Sequence, residues 1–145
     1  KLFDDAIHKR IQGDPSSYIR HLLLQVGGSE DFVEDANHAL KTFRASEIWR
    51  ELATASRVYS EVPFAVAQDK DITRGVMDLV YQLKDGWHIV DYKTDAVVTD
   101  EEVANLVNRV SGQISAYARY WENFTGETVV VKRLWLTECE RAVIV

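Results

Sequence analysis

Two aspartates and a lysine, Asp78, Asp91 and Lys93, stand within one stretch, residues 74–95, that reads RGVMDLVYQLKDGWHIVDYKTD. The runs 76–83 and 87–92 are rich in Val, Ile, Leu and aromatic residues, and Asp85-Gly86 lies between them. An Asp-Gly pair between apolar runs is a strong hairpin signal, because a type I′ turn needs positive φ at both central positions. With those two residues as the loop, Lys84 pairs with Trp87 and the ladder sets Asp78 opposite Lys93. Opposed residues share a face, and so do residues two apart on one strand, so Asp78, Asp91 and Lys93 are expected on one side of a sheet. The opposed pair would have Cβ atoms roughly 5 Å apart and the diagonal Asp78–Asp91 pair roughly 7–8 Å. A three-residue loop without a bulge would turn Asp78 to the other face.

Two carboxylates at that separation can share one divalent cation. Mg²⁺ prefers hard oxygen ligands, commonly one or two carboxylates completed by water and phosphate oxygens. Such a cation neutralises charge on a phosphoryl group and acidifies bound water, and a neighbouring ammonium can orient the water or offset the charge that develops. The chemistry implied is metal-assisted hydrolysis of a phosphodiester. By spacing alone, an ordinary cross-strand Asp–Lys pair on a surface hairpin is the more economical account, contributing less than about 1 kcal/mol.

Further residues extend the pattern. Gly75-Val76-Met77-Asp78 precedes the turn, Asp91-Tyr92-Lys93-Thr94 follows it, and Gln113-Ile114-Ser115-Ala116-Tyr117 lies beyond. Taken in order, G-x-x-D, D-Y-K-T and Q-x-x-x-Y resemble the core of the PD-(D/E)xK nuclease superfamily, in particular the RecB/AddA-type nuclease domain of bacterial helicase–nucleases. The resemblance implies an α/β fold: a mixed central β-sheet flanked by helices, restriction-endonuclease-like, with an N-terminal helical segment. It implies catalytic roles for Asp78, Asp91, Lys93, Gln113 and Tyr117, and a metal site of His8, Asp78, Asp91 and the Tyr92 backbone carbonyl. In the family the helix bearing the histidine reads G-T-x-x-H, and here Asp4-Asp5 take the places of Gly-Thr. Glu61, in Glu61-Val62-Pro63-Phe64, matches a Glu-x-Pro-Phe of RecB-type proteins and is a candidate additional acid. The cofactor implied is Mg²⁺, for which Mn²⁺ can substitute. The partners implied are DNA, as a single strand delivered by a helicase, helicase domains of the same polypeptide, and a partner subunit.

The chain has 145 residues, 46% of them hydrophobic and 28% charged, as in one soluble globular domain. No apolar run reaches membrane-spanning length and no signal-peptide pattern opens the chain, so a cytoplasmic location and no membrane partner are expected. Opening on Lys1 without Met, residues 1–145 read as a single nuclease domain excised from a larger helicase–nuclease. One cysteine, Cys139, cannot supply the four thiolates of an iron–sulfur cluster, so none is expected. The net charge of −6 is opposite to the basic footprint of a domain that grips DNA alone. It implies that other parts of the protein hold the nucleic acid.

The elements that must position these residues follow from periodicity and capping. Residues 1–55 read as helices. Phe3, Ile7 and Ile11 mark the first, over residues 2–12, with His8 beside the stripe. Asp14 caps the second, with Pro15 at its first position, and Gly27-Gly28 ends it. Ser29 is expected to cap a third, carrying Phe32, Ala36, Leu40 and Phe43, and Ser46 starts a short fourth. Residues 56–145 read as the α/β core. In its first strand Val58, Ser60, Val62, Phe64 and Val66 alternate with Tyr59, Glu61, Pro63 and Ala65, and Pro63 calls for an edge position or a bulge. Residues 68–72 read as a polar turn. Thr99 and Glu102 form a capping box for a helix that Ser111-Gly112 is expected to kink or break and that Gly126 stops. Strands are expected over 128–136 and 141–145. Two other functions compete with the helicase–nuclease reading: a stand-alone PD-(D/E)xK nuclease, and an inactive nuclease-like module that binds DNA or a partner. The acidic charge opposes the first, and the presence of Asp78, Asp91 and Lys93 together opposes the second.

Overall fold

Capping chemistry divides the N-terminal region into four helices: α1 (Leu2–Ile7), α2 (Pro15–Gln25), α3 (Phe32–Ala45) and α4 (Glu47–Leu52). The computed structural model describes all residues except Gln12, Asp69, Lys70 and Val98, and at 66–68 and 71–73 it describes the backbone alone. The chain forms two units, Lys1–Leu52 and Ala53–Val145. In the first, Asp14 accepts the Ser16 N–H at 3.0 Å and Pro15 opens α2, as its sequence requires. The helix expected over 2–12 stops early, at Ile7. Lys9 takes positive φ (55°), the Lys9 N–H bonds Ala6 O at 3.1 Å and the Arg10 N–H bonds Asp5 O at 2.8 Å. That is a Schellman motif with lysine in the place usual for glycine, which is why the sequence hid it. Asp31, not Ser29, is the N-cap of α3, while Ser29 Oγ accepts the Asp31 N–H at 3.3 Å. Ser46 Oγ accepts the Trp49 N–H at 3.2 Å and so starts α4. Ile19, Leu40, Phe43 and Ile48 are buried, and Phe3 stacks on Phe43 with ring centres 4.5 Å apart.

The second unit is a five-stranded mixed sheet in the order β1-β2-β3-β4-β5. Its strands are β1 (Arg57–Gln68), β2 (Asp71–Leu83), β3 (Gly86–Lys93), β4 (Val129–Leu136) and β5 (Arg141–Ile144), with α5 (Asp100–Thr125) between β3 and β4. β3 and β4 pair in parallel and the other neighbours are antiparallel. Parallel neighbours need a long crossover, and α5 supplies it. Thr99 and Glu102 complete the capping box, and Gly126, at φ 72°, ends the helix. α5 passes unbroken through Ser111-Gly112, contrary to the expected kink. Its buried stripe explains this: Leu106, Ile114, Tyr117 and Trp121 join Val80, Trp87, Ile89, Leu134 and Leu136 in one core. Each fully buried Leu or Ile there contributes about 1.5–3 kcal/mol, more than the roughly 1 kcal/mol a helical glycine costs. This is the α/β architecture expected. Among the described residues no helix is long and apolar enough to cross a membrane.

Two local departures bear on the site. Leu83 pairs with Gly86, so the hairpin turn is Lys84-Asp85 and not Asp85-Gly86. Gly86 has φ 140°, and a Cβ on it would meet Thr128 O at 3.0 Å and Val130 Cγ1 at 2.9 Å. The glycine is needed where the start of β4 closes against the hairpin, not inside a type I′ turn. The second departure is in β1. Tyr59 meets Trp121 (5.7 Å between ring centres) and Phe64 meets Tyr117 (5.1 Å), so both face α5 although they stand five positions apart, an odd offset that puts residues of a regular strand on opposite faces. Glu61 lies between, at φ 50°, and reverses the alternation expected along this strand. Pro63 sits on β1, an edge strand, as expected. Gln68 pairs with Asp71 and Ala67 with Ile72, so the strands run further than the expected turn allowed, and its centre, 69–70, lies outside the described residues.

Candidate functional site

The end of β3, the middle of β2 and the middle of α5 converge. In the β2–β3 ladder Gln82 pairs with Trp87, Val80 with Ile89 and Leu79 with Val90, so continuing the register sets Asp78 opposite Asp91, not Lys93. The expected pairing was off by two residues, which preserves the face, and the residues still meet. The Tyr92 N–H donates to Asp78 Oδ2 at 2.7 Å, and Lys93 Nζ lies 2.6 Å from Asp91 Oδ2. From α5, Gln113 Oε1 accepts from Lys93 Nζ at 3.5 Å, and Gln113 Nε2 donates to the Tyr117 hydroxyl at 2.6 Å. Gln113 and Tyr117 reach each other because positions four apart share a helix face. The Thr137 N–H to Lys93 O bond, 2.9 Å, ties the end of β3 to the end of β4.

Burial sets the electrostatics. Asp91 is buried, Asp78 and Lys93 are half-buried, and Tyr117 is buried beneath them. Burial pushes the Asp78 carboxyl above the usual range, the Tyr92 N–H opposes that, and the Asp91 charge beside it pushes further in the same direction. Burial, then the Asp91 charge, raises the Tyr117 hydroxyl as well. Two carboxylates thus crowd one place, and among the described residues Lys93 is the cation in contact with them.

Two features of this region were not legible beforehand. A Cβ on Gly75 would lie 2.5 Å from Phe64 Cε1, so glycine at the head of G-x-x-D makes room for the Phe64 ring. That ring packs edge-on against Tyr117, at 71° between planes, and so supports the hydroxyl that holds Gln113. Phe64 meets Gly75 only through the β1–β2 register, which residue types alone do not announce. The second is the strained backbone of Glu61. It is exposed and stands between the pairs Ser60–Leu79 and Val62–Met77, level with Asp78. His8 belongs to the first unit, at the C-cap of α1, with Nε2 3.5 Å from Asp4 Oδ1.

The donor set suits a hard divalent cation. Among the described residues no group of three or more His, Cys, Asp or Glu side chains gathers, so this place offers two carboxylates. That number suits Mg²⁺, which keeps much of its water, better than an ion that requires a full protein cage. Burial first, and the Asp91 charge after it, raise the Asp78 carboxyl, and a bound cation would offset both.

Comparison with known proteins agrees with this geometry. The family description "PD-(D/E)XK nuclease superfamily" matches residues 5–139. The chain is 34% identical to an ATP-dependent helicase/nuclease subunit of Staphylococcus aureus, over 92% of this chain and 11% of that protein. To the protein of the same name from Carboxydothermus hydrogenoformans it is 32% identical, over 68% of this chain and 10% of the relative. The chain therefore spans about a tenth of the length of these relatives. With the family pattern covering almost all of its length, and the pattern's residues converging in space, the chain belongs to the PD-(D/E)XK nuclease superfamily.

Proposed function

We propose that this chain is a divalent-metal-dependent deoxyribonuclease module. It hydrolyses phosphodiester bonds of a DNA single strand delivered by helicase domains of the same, longer polypeptide. The setting is a cytoplasmic ATP-dependent helicase–nuclease, with a partner subunit, acting in double-strand-break repair and recombination. The observation that carries this reading is the convergence of Asp78, Asp91 and Lys93 at the end of β3. The helicase/nuclease relatives support the larger setting.

Asp78 and Asp91 would hold the cation, with the Tyr92 carbonyl and His8 as further ligands implied by the family. Mg²⁺ or Mn²⁺ suits those oxygens. When bound, the cation supplies charge neutralisation at the phosphoryl oxygens and a more acidic water. The chain's own residues do the rest. Asp78 and Asp91 orient water by accepting hydrogen bonds from it, Lys93 offers a positive charge to the phosphoryl oxygens, and Gln113 and Tyr117 restrain Lys93. A water oxygen bonds to phosphorus and gives up one proton to solvent, the bond to one ester oxygen breaks, and that oxygen takes up a proton from solvent.

Single-turnover cleavage of a DNA oligonucleotide, with metal affinity measured in parallel, tests the assignment. Lys93→Ala should lose about 10²–10³ in rate, the scale of removing one charge-stabilising donor, and keep its metal affinity. Near wild-type cleavage by this variant would defeat the catalytic role. His8→Ala should weaken metal binding without changing the fold, and unchanged affinity would remove His8 from the ligand set.

A further inference from the structure

Away from the carboxylates, at the opposite ends of β3 and α5, an open cleft of about 540 Å³ lies among Tyr59, Trp121, Phe124, Arg57 and Glu127. Tyr59 is 45% exposed and Phe124 is 73% exposed. Both contact the buried Trp121, with ring centres 5.7 Å and 6.0 Å away. The Arg57 guanidinium lies 6.0 Å from the centre of the Trp87 ring. Glu127 is fixed at the rim, accepting the Trp87 indole N–H at 2.6 Å and the Gln82 amide at 3.1 Å.

From this cleft a row of rings leads toward Lys93. Tyr120 stacks on Phe124 with 3° between planes, Phe64 is 5.3 Å from Tyr120, and Phe64 packs on Tyr117, whose hydroxyl meets Gln113. Along β3, Trp87 and Lys93 are roughly 20 Å apart, within reach of a few nucleotides.

The chemistry of the cleft selects its occupant. Positive charge is scarce, because the chain carries −6 overall and Arg57 already lies 4.0 Å from Glu127. A ligand must therefore be gripped by its ring faces rather than by its phosphates. Single-stranded DNA offers such faces, and stacking on aromatic side chains tolerates any base. An apolar protein segment would instead strip water from the half-exposed Arg57 and Glu127 without replacing their hydrogen bonds. A base can stack on the rings and donate a ring or exocyclic N–H to Glu127.

We propose that the Tyr59–Trp121–Phe124 cleft binds an unpaired nucleobase of a DNA single strand whose backbone continues to the Asp78–Asp91 pair. The inference rests on the nuclease reading of that pair. It assigns the strand's grip to stacking, which an acidic domain can supply.

The test is fluorescence anisotropy of a labelled oligothymidylate and of an abasic strand of equal length, in EDTA so that nothing is cut. The chain should bind the base-bearing strand about tenfold tighter than the abasic one, and Tyr59→Ala and Phe124→Ala should each lose roughly fivefold or more. Phe124→Leu, which keeps apolar bulk without a ring, should lose affinity as Phe124→Ala does. Circular dichroism checks that each variant is folded. Raising salt from about 50 to about 200 mM should weaken binding only a few fold, whereas phosphate-gripping proteins lose about 10³ or more. Equal binding of both strands, or unchanged binding by folded variants, overturns the inference. A chain that cuts DNA yet binds both strands alike would overturn it and leave the nuclease reading standing. A chain that binds as expected but never cuts would defeat the nuclease reading instead.

Discussion

Two pairs of aspartates in this chain differ in how their charge is met. Asp4 and Asp5, on α1, are buried, and their surroundings close around them. Arg10 reaches Asp4 at 2.7 Å and Asp5 at 3.0 Å, Lys1 reaches Asp5 at 3.1 Å, and the Tyr18 hydroxyl donates to Asp5 at 2.7 Å. Burial by itself would raise the Asp5 carboxyl, but Tyr18, Arg10 and Lys1 together hold it below the usual carboxylate range. Among the described residues the Lys93 ammonium meets Asp91 and the Tyr92 N–H meets Asp78, and the Asp78 carboxyl is raised. The first pair is a finished structural knot. Among the described residues the second pair meets less positive charge than the first, which is what the proposed cation would make up. Acidity and burial do not by themselves separate a structural carboxylate from a functional one; the partners do.

The largest effect that should separate the pairs is on cleavage. Asp78→Ala or Asp91→Ala should lower single-turnover DNA cleavage by at least about 10², while Arg10→Ala should leave the rate per folded molecule nearly unchanged. A loss of similar size in folded Arg10→Ala would erase the distinction.

A smaller contrast lies in stability without metal. Arg10→Ala leaves two buried carboxylates short of a partner and should lower the midpoint of thermal unfolding by several degrees. Asp78→Asn removes a charge crowded against another and should raise it. Scanning calorimetry in EDTA reads both, and a shift in the same direction for the two variants would contradict the account.

The smallest contrast is in pH dependence, where the signs oppose. For Asp78 the folded carboxyl is raised, so its contribution is fully present below the unfolded value of about 3.9 and is lost as pH rises through the folded value. For Asp5 the folded carboxyl is lowered, so its contribution is present above the unfolded value and lost as pH falls through the folded one. Unfolding midpoints measured across acidic pH in EDTA should therefore show Asp78→Asn removing a gain on mild acidification. Asp5→Asn should remove a loss at lower pH. Identical pH profiles for the two variants would contradict this.

Much of this was legible in the sequence because it depends on local chemistry. Asp14-Pro15 starts α2 and Thr99 with Glu102 starts α5, since a cap needs only its own first turn. The meeting of Asp78 with Asp91 survived a wrong turn assignment because the error was two residues, and a strand repeats every two. What escaped depends on distant packing. Gly86 was read as half of a turn, but β4, more than forty residues on, is what excludes a side chain there. Lys9 and Glu61 take positive φ without being glycine, so nothing in their type announced the early end of α1 or the reversal in β1. The unbroken α5 owes its continuity to its contacts with the sheet, which outweigh one helical glycine.

On the proposed reading, Asp78 and Asp91 are an unfinished charge cluster that a divalent cation completes. Calorimetric titration of the chain with Mg²⁺ and Mn²⁺, repeated in two buffers of different ionisation enthalpy, tests it most directly. One site is expected, lost in Asp78→Asn and Asp91→Asn and kept in folded Asp5→Asn, with protons released on binding as acidic pH begins to protonate Asp78. Unchanged metal affinity in both Asp78→Asn and Asp91→Asn would contradict it.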